Sequence, residues 1–421
     1  MRGKPIAFAA ILVLLLWAVV ELVCWAGLRY LAEEKGLEYA PEAWAGLRFK
    51  HGRNIRALLA GAGTYVVHDP ELGWTLQADA ESERGGSLVY RTSSQALRAD
   101  RDYPPEPPPG TVRIAACGDS FTHGSDVAFA DTWAERLEAI DPRLEVLNFG
   151  VIGYGTDQAW LRCRRMAGGF HPHVVVLGIM SDNPLRNVNT FRPFLFPRSG
   201  LPFAKPRFEL AGGRLRLLPN PLPRLDDYRD LLGEEADAVL RRIGRHDFFY
   251  RRDNARAPLD VLPSMRLVHV TSRARRVPAM GPDGAYDPAG EPARVTAAIA
   301  EAFADEALET GRLPVALMLP EGYDLRAARR GDPARYSSVA AEIAGRGVPV
   351  VDALDGFAER APEVPVRRLV RGHYRVEGNR VVAAHLAEWL ARRGLTDPEA
   401  VRAAAREVGR EVAAAGRGEA R

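Results

Sequence analysis

Val112-Arg113-Ile114-Ala115-Ala116-Cys117-Gly118-Asp119-Ser120-Phe121-Thr122 is an apolar run that stops abruptly at a Gly-Asp-Ser turn with a hydroxyl at its tip. Such a run reads as a buried strand, and a serine at its end emerges at the carboxyl edge of a parallel sheet, where open α/β folds bind their ligands. A helix after the turn would aim its amino-terminal dipole at the same spot. Gly-Asp-Ser also makes ordinary turns, so the reading depends on partners further along the chain.

The pattern around this run alternates strand and helix. Thr132-Trp133-Ala134-Glu135 resembles a capping box, with Trp133, Leu137 and Ile140 following at helical spacing. Leu144 to Phe149 reads as a second strand, Thr156 to Ala167 as a second helix, and His173 to Gly178 as a third strand apolar enough to be covered on both faces. This alternation predicts an α/β fold with a central parallel sheet between helical layers. It breaks from Phe191 to about Gly290, a stretch rich in proline and arginine with one hairpin expected at Ala211-Gly212-Gly213-Arg214. An insertion there follows the edge of strand three and could form a lid. The pattern resumes with a helix carrying Val295, Ile299 and Phe303, strands at Leu313–Leu319 and Val348–Val351, and a last helix with Val382, His385, Leu386, Trp389 and Leu390 on one face. The tail after Pro398 reads as a solvated Ala/Arg/Glu helix.

Composition narrows the function classes. With 57 Lys+Arg against 54 Asp+Glu spread along 421 residues, nothing suggests an electrostatic footprint for nucleic acid, and no nucleic-acid-binding motif is present. The three cysteines, Cys24, Cys117 and Cys163, have no paired spacing and read as small buried hydrophobes, against both a disulfide framework and a zinc site. His171 and His173 flank Pro172 without a third ligand at suitable spacing, so no metal is expected.

From Pro5 to Leu28 the residues are almost all apolar, interrupted only by Glu21, which is long enough to cross a bilayer core of about 30 Å. Arg2 and Lys4 precede this stretch, while Glu33 and Glu34 offset Arg29 and Lys35 after it, so the amino terminus is expected in the cytoplasm and the rest outside, in the periplasm. No clean small-x-small cleavage site precedes Leu28, and Glu21-Leu22-Val23-Cys24 lacks the small residue a lipobox needs, which favours an uncleaved anchor over a signal peptide. The expected organisation is an anchor at 1–35, a lead-in segment at 36–110 ending in a stiff proline-rich connector from Tyr103 to Gly110, the α/β domain at 111–394 with its 190–290 insertion, and a helical tail at 395–421.

Three more segments fall where a serine esterase would need them. Asn148-Phe149-Gly150-Val151-Ile152-Gly153-Tyr154-Gly155-Thr156 is a glycine-rich turn whose bare amides can approach a substrate oxygen. Ser181-Asp182-Asn183 follows strand three and offers a side-chain amide. Gly372-His373-Tyr374 precedes the last helix, with an imidazole placed to take the serine proton. Their order, each at the exit of a separate core element, resembles the SGNH or GDSL hydrolase superfamily from about Thr111 to Leu390, the insertion set aside.

The resemblance implies a three-layer α/β/α sandwich of flavodoxin-like type, no metal or organic cofactor, and specific roles. Ser120 would be the nucleophile, His373 the base, and the oxyanion hole would be made by the amides of Ser120 and Gly153, with Gly150 second, and the side chain of Asn183. Two departures stand out. Pro184 replaces the usual aspartate after the asparagine, and Arg371 and Val370 occupy the positions where the family places an aspartate before the histidine. The chain then works as a Ser-His dyad, or takes an acid from elsewhere, with Asp352 first and Glu377 next, or has lost catalysis; the four blocks favour the first two. His123 reads as a pocket-rim or structural residue.

The function expected is an extracytoplasmic, membrane-anchored serine esterase acting on acylated carbohydrate or lipid esters. The alternatives are an O-acyltransferase modifying envelope polysaccharide, as the resemblance to exported glycan-acetylation proteins implies, and a non-catalytic glycan-binding scaffold on the same fold.

Overall fold

A computed structural model describes residues 3–35, 39, 51–84, 88–196, 199–250, 258–275 and 279–418. Five strands form one parallel sheet: β5 (Val112–Cys117), β6 (Leu144–Asn148), β7 (Val174–Met180), β10 (Leu313–Leu319) and β11 (Val350–Asp352), in the order β11-β10-β7-β5-β6. Every neighbouring pair is parallel. Alternation along each strand divides its side chains between two apolar layers. Ala115, Cys117, Val175, Leu177 and Ile179 face one core, whereas Ile114, Ala116, Val174 and Val176 face the other. Both faces are covered, as the near-continuous apolar runs predict. Helices α4 (Thr156–Met166) and α7 (Glu291–Glu309) lie on the first face, α3 (Trp133–Ile140) and α9 (Val376–Arg392) on the second. The fold is the three-layer α/β/α sandwich.

The chain leaves β5 toward β6 on one side, then crosses to β7 on the other, so the winding direction reverses between β5 and β7. That switch point opens a crevice at the carboxyl ends of the two strands. The Gly-Asp-Ser turn exits β5 there and Ser181-Asp182-Asn183 exits β7.

Several expectations change. The lead-in segment contains two hairpins, β1 (Val66–Asp69) with β2 (Gly73–Leu76) and β3 (Glu81–Arg84) with β4 (Leu88–Arg91), and Trp74 and Tyr90 are buried in the domain core. The proline-rich connector is fixed to the sheet, because the buried Arg113 guanidinium donates to the carbonyls of Pro104, Pro105 and Glu106 while also meeting Glu145. Helix α10 (Pro398–Gly418) is docked rather than solvated all round, with Val401 and Ala405 buried. Cys117 and Cys163 are not independent hydrophobes but a disulfide joining the end of β5 to α4, with Cα atoms 5.9 Å apart. Their 46-residue separation hides a proximity that only strand-on-helix packing creates. In the 190–290 segment the hairpin forms at the expected turn, β8 (Arg207–Ala211) with β9 (Arg214–Leu218), about two glycines with positive φ. Arg241 and Arg242 are exposed there, whereas Arg251, Arg252 and Arg276 lie outside the described residues.

Candidate active site

Asp119 begins the site. Its backbone is extended and its Oδ1 accepts from the Phe121 amide at 2.8 Å, capping the single-turn helix α2 (Ser120–His123). Ser120 is therefore the first helical residue, and its own N–H has no intrahelical acceptor. Gly124 ends α2 with φ 75°, and two residues later Asp126 also takes a positive φ of 75°. For a residue other than glycine this is a costly conformation, on the order of 1–3 kcal/mol, and it persists only where the surroundings impose it. Here the reversal returns the Asp126 carboxylate to the side of the turn that carries Ser120.

His373 arrives from the opposite end of the sequence. It lies on β13 (His373–Tyr374), paired with β12 (Val370–Arg371) around Gly372, and its ring packs against Phe121 with centroids 5.4 Å apart. His373 Nδ1 is 3.0 Å from Asp126 Oδ2, and Nε2 is 3.0 Å from Ser120 Oγ. An ionised carboxylate only accepts, so Nδ1 carries the proton and donates to Asp126. In the neutral imidazole this leaves Nε2 as the acceptor of the Ser120 hydroxyl proton. Serine, imidazole and carboxylate thus stand in line.

The acid beside the imidazole is Asp126, and sequence reasoning missed it. Asp352, the expected candidate, caps helix α8 (Ala353–Arg360): its Oδ1 accepts from the Leu354 amide at 2.9 Å and from the Tyr336 hydroxyl at 2.6 Å. Glu377 is partly exposed and faces Arg368. Burial raises the Asp352 carboxyl from 3.8 to about 6 despite those two bonds. A raised carboxyl stabilises the fold fully below the unfolded value, and that contribution is lost as pH rises through the folded one. Asn at 352 keeps the accepting oxygen and removes the desolvated charge. Asp352→Asn is therefore expected to leave ester turnover intact and to raise stability by about 1–3 kcal/mol above about pH 6, with no gain below about pH 4. Urea unfolding at the two pH values checks this.

The glycine-rich turn is clamped to α2. Asn148 Nδ2 donates to the Thr122 carbonyl at 2.7 Å while its Oδ1 accepts from the Gly150 amide at 3.0 Å. A β-carbon on Gly150 would lie 2.3 Å from the His123 backbone nitrogen, so glycine is what allows this approach. Gly150 is thereby occupied as a donor. Gly153, with φ 85°, is different: neither its N–H nor that of Ser120 has an acceptor among the described residues. Asn183 departs from the expectation. Its side-chain amide donates to Asp119 Oδ2 at 3.1 Å and toward the Tyr154 carbonyl at 3.4 Å, while its Oδ1 accepts from the Met180 amide. Both amide hydrogens have acceptors, so Asn183 ties the nucleophile turn to the glycine turn instead of presenting a free donor. Arg186 reinforces that tie, donating to Asp119 Oδ2 and the Tyr154 carbonyl at 2.9 Å each. Arg192 holds the Gly153 carbonyl at 2.7 Å, and burial beside Arg186 lowers its pKa to about 9.

The lead-in hairpins support the acid. Tyr90, on β4 and 2% exposed, accepts the Asp126 backbone N–H at its hydroxyl, 2.8 Å away. His123 is fully buried beneath, with Nε2 2.7 Å from the Tyr65 hydroxyl and Nδ1 3.3 Å from Ser125 Oγ, which gives it a structural role. Tyr90→Phe removes the group that fixes the left-handed backbone of Asp126. A displaced acid is expected to lower kcat by up to about 10²-fold with KM nearly unchanged; steady-state kinetics at a series of pH values measures the split.

No family model and no curated protein matches the sequence. Solved structures similar to the chain include LAE5, an alpha/beta hydrolase enzyme from the metagenome of Lake Arreo, Spain (14% identity, TM-score 0.37, covering 68% of this chain and 97% of that one). Others are a lipase/acylhydrolase from Enterococcus faecalis (12%, TM-score 0.34, 67% and 97%) and a member of the lipolytic protein G-D-S-L family from Veillonella parvula DSM 2008 (12%, TM-score 0.31, 67% and 100%).

Proposed function

We propose that the chain is a serine esterase of the SGNH/GDSL type, in which Ser120 is the nucleophile, His373 the general base and Asp126 the residue that orients and charges against it. One observation carries this reading: the unbroken contact from Ser120 Oγ through both nitrogens of His373 to the Asp126 carboxylate. In the first half-reaction Ser120 Oγ attacks the ester carbonyl and its proton passes to His373 Nε2, with the resulting imidazolium stabilised by Asp126. The amides of Ser120 and Gly153 are the donors available to the oxyanion. Collapse of the tetrahedral adduct expels the alcohol, which takes the proton from Nε2 and leaves an acyl-serine. Water, activated by the same nitrogen, then releases the acid and restores the serine.

A sugar hydroxyl in place of that water would make the same site an acyltransferase. The α1 helix (Gly3–Lys35) contains a 26-residue apolar stretch from Phe8 to Glu33, long enough to cross a membrane, and the Cys117–Cys163 disulfide suits an oxidising compartment. Both support an exported, anchored enzyme with its amino terminus in the cytoplasm, and hence a substrate of the cell envelope, an acylated glycan or a lipid ester. The lead-in segment belongs to the catalytic unit in this reading, because Tyr90 and Trp74 are packed into it.

Assays of acetate release from acetylated glycans, and of acetyl transfer to unmodified ones, test the substrate class. Turnover confined to long-chain lipid esters would contradict the carbohydrate reading. Absence of any ester cleavage or transfer by folded protein would contradict the enzyme and favour a binding role.

A further inference from the structure

Glu21 is the only charged residue between Pro5 and Leu28, and a carboxylate in an apolar span requires a partner. It has one. Glu21 Oε2 accepts from the Ser264 backbone N–H at 2.9 Å, and Oε1 accepts from the Ser264 hydroxyl at 2.6 Å. Ser264 is the second residue of helix α6 (Pro263–Arg275), where a backbone N–H has no intrahelical acceptor. Two groups that would each be costly in hydrocarbon therefore satisfy each other. Further along, Gly27 brings α1 close to α6, a β-carbon there lying 3.8 Å from Leu267. Asp260 of this segment accepts from the Tyr39 hydroxyl and lies 3.7 Å from His269.

The outer side of this segment is apolar. Outside α1, seven large apolar residues are exposed among the described residues, and four of them are Leu259 (58%), Val261 (73%), Met265 (36%) and Val268 (59%). Met265 and Val268 stand at i and i+3 on α6, and Val261 ends the short turn just before it. Leaving such side chains in water costs about 1–2 kcal/mol each, so a cluster marks a surface that is covered. The neighbouring surface is α1, whose residues from Phe8 to Val23 are exposed on nearly every side. Glu21 lies seven residues from Leu28, about 10 Å inside the carboxyl-terminal end of the span.

We propose that the Pro258–Arg275 segment is a second membrane element, docked on α1 through Glu21 and Ser264 and inserting its Val261-Met265-Val268 side among the acyl chains of the leaflet on the catalytic-domain side. The occupant of this surface is the lipid bilayer. The inference rests on reading α1 as a retained anchor. Such an element ties the 190–290 segment to the membrane and fixes the catalytic domain relative to it, where a freely hinged anchor would let it swing.

The test uses the full chain in phosphatidylcholine vesicles, carrying an environment-sensitive NBD label at one introduced cysteine in a Cys24→Ala background, with doxyl-labelled phospholipid as quencher. Val268→Cys is expected to give blue-shifted emission that doxyl lipid quenches, as Leu15→Cys in α1 does, whereas Leu217→Cys on the β8–β9 hairpin is not quenched. Adding Glu21→Ala should reduce quenching at 268 and leave that at 15 unchanged. If 15 is quenched while 268 behaves like 217, the proposal is overturned and the anchor stands. If 15 is unquenched, the anchor reading itself falls. Label-to-label self-quenching at 268 without lipid quenching would place a second copy on this face and likewise overturn the proposal.

Discussion

Asp126→Asn is expected to lower kcat for a simple acyl ester by about 10²–10⁴-fold, with little change in KM. Asparagine can offer its side-chain N–H to His373 Nδ1, which would leave the proton on Nε2 and the Ser120 hydroxyl without an acceptor. In a serine hydrolase whose acid is fully buried, this change costs about four orders of magnitude. Here the Asp126 and His373 side chains are 31% and 21% exposed, so solvent screens the carboxylate and favours the lower part of that range. The comparison with Asp352→Asn is decisive, because the two substitutions are chemically identical and only one acid touches the imidazole. A loss confined to the Asp352 variant would invert the assignment of the acid.

Ser120→Ala is expected to reduce turnover further, by at least about 10⁴-fold, leaving only what binding and the oxyanion donors contribute. The substitution deletes a single oxygen from a residue 3% exposed, and the capping bond made by Asp119 is untouched. The melting temperature should therefore stay within a few degrees of the parent, which separates lost chemistry from lost fold. Retention of full ester cleavage by this variant would remove Ser120 from the mechanism.

Much of this arrangement is legible in the sequence where the physics is local. Apolar runs at 112–117, broken only by Arg113, and at 174–180 and 313–319 announce strands covered on both faces, and the turn residues that follow them mark the carboxyl edge. The structure brings Ser120 and His373 into contact, although 253 residues separate them. What escapes the sequence is set by tertiary context. Asp126 meets the His373 imidazole from a left-handed backbone position whose N–H bonds the Tyr90 hydroxyl, contributed by a hairpin of the lead-in segment. A Gly124-Ser125-Asp126 string one turn after the serine was the available signal, since glycine ends the helix and a short polar residue tolerates positive φ. Asn183 is occupied by Asp119 and Tyr154, contacts that no spacing rule encodes. The Cys117–Cys163 bond depends likewise on which helix covers β5.

The central claim is that Ser120 is an activated nucleophile. The most direct measurement is the rate and site of modification by a fluorophosphonate, read by peptide mass spectrometry on the folded full-length chain. The account predicts one adduct per chain on Ser120, formed far more slowly in Asp126→Asn and absent in Ser120→Ala. Folded protein that leaves Ser120 unmodified, or modifies it equally fast without the Asp126 carboxylate, would contradict it.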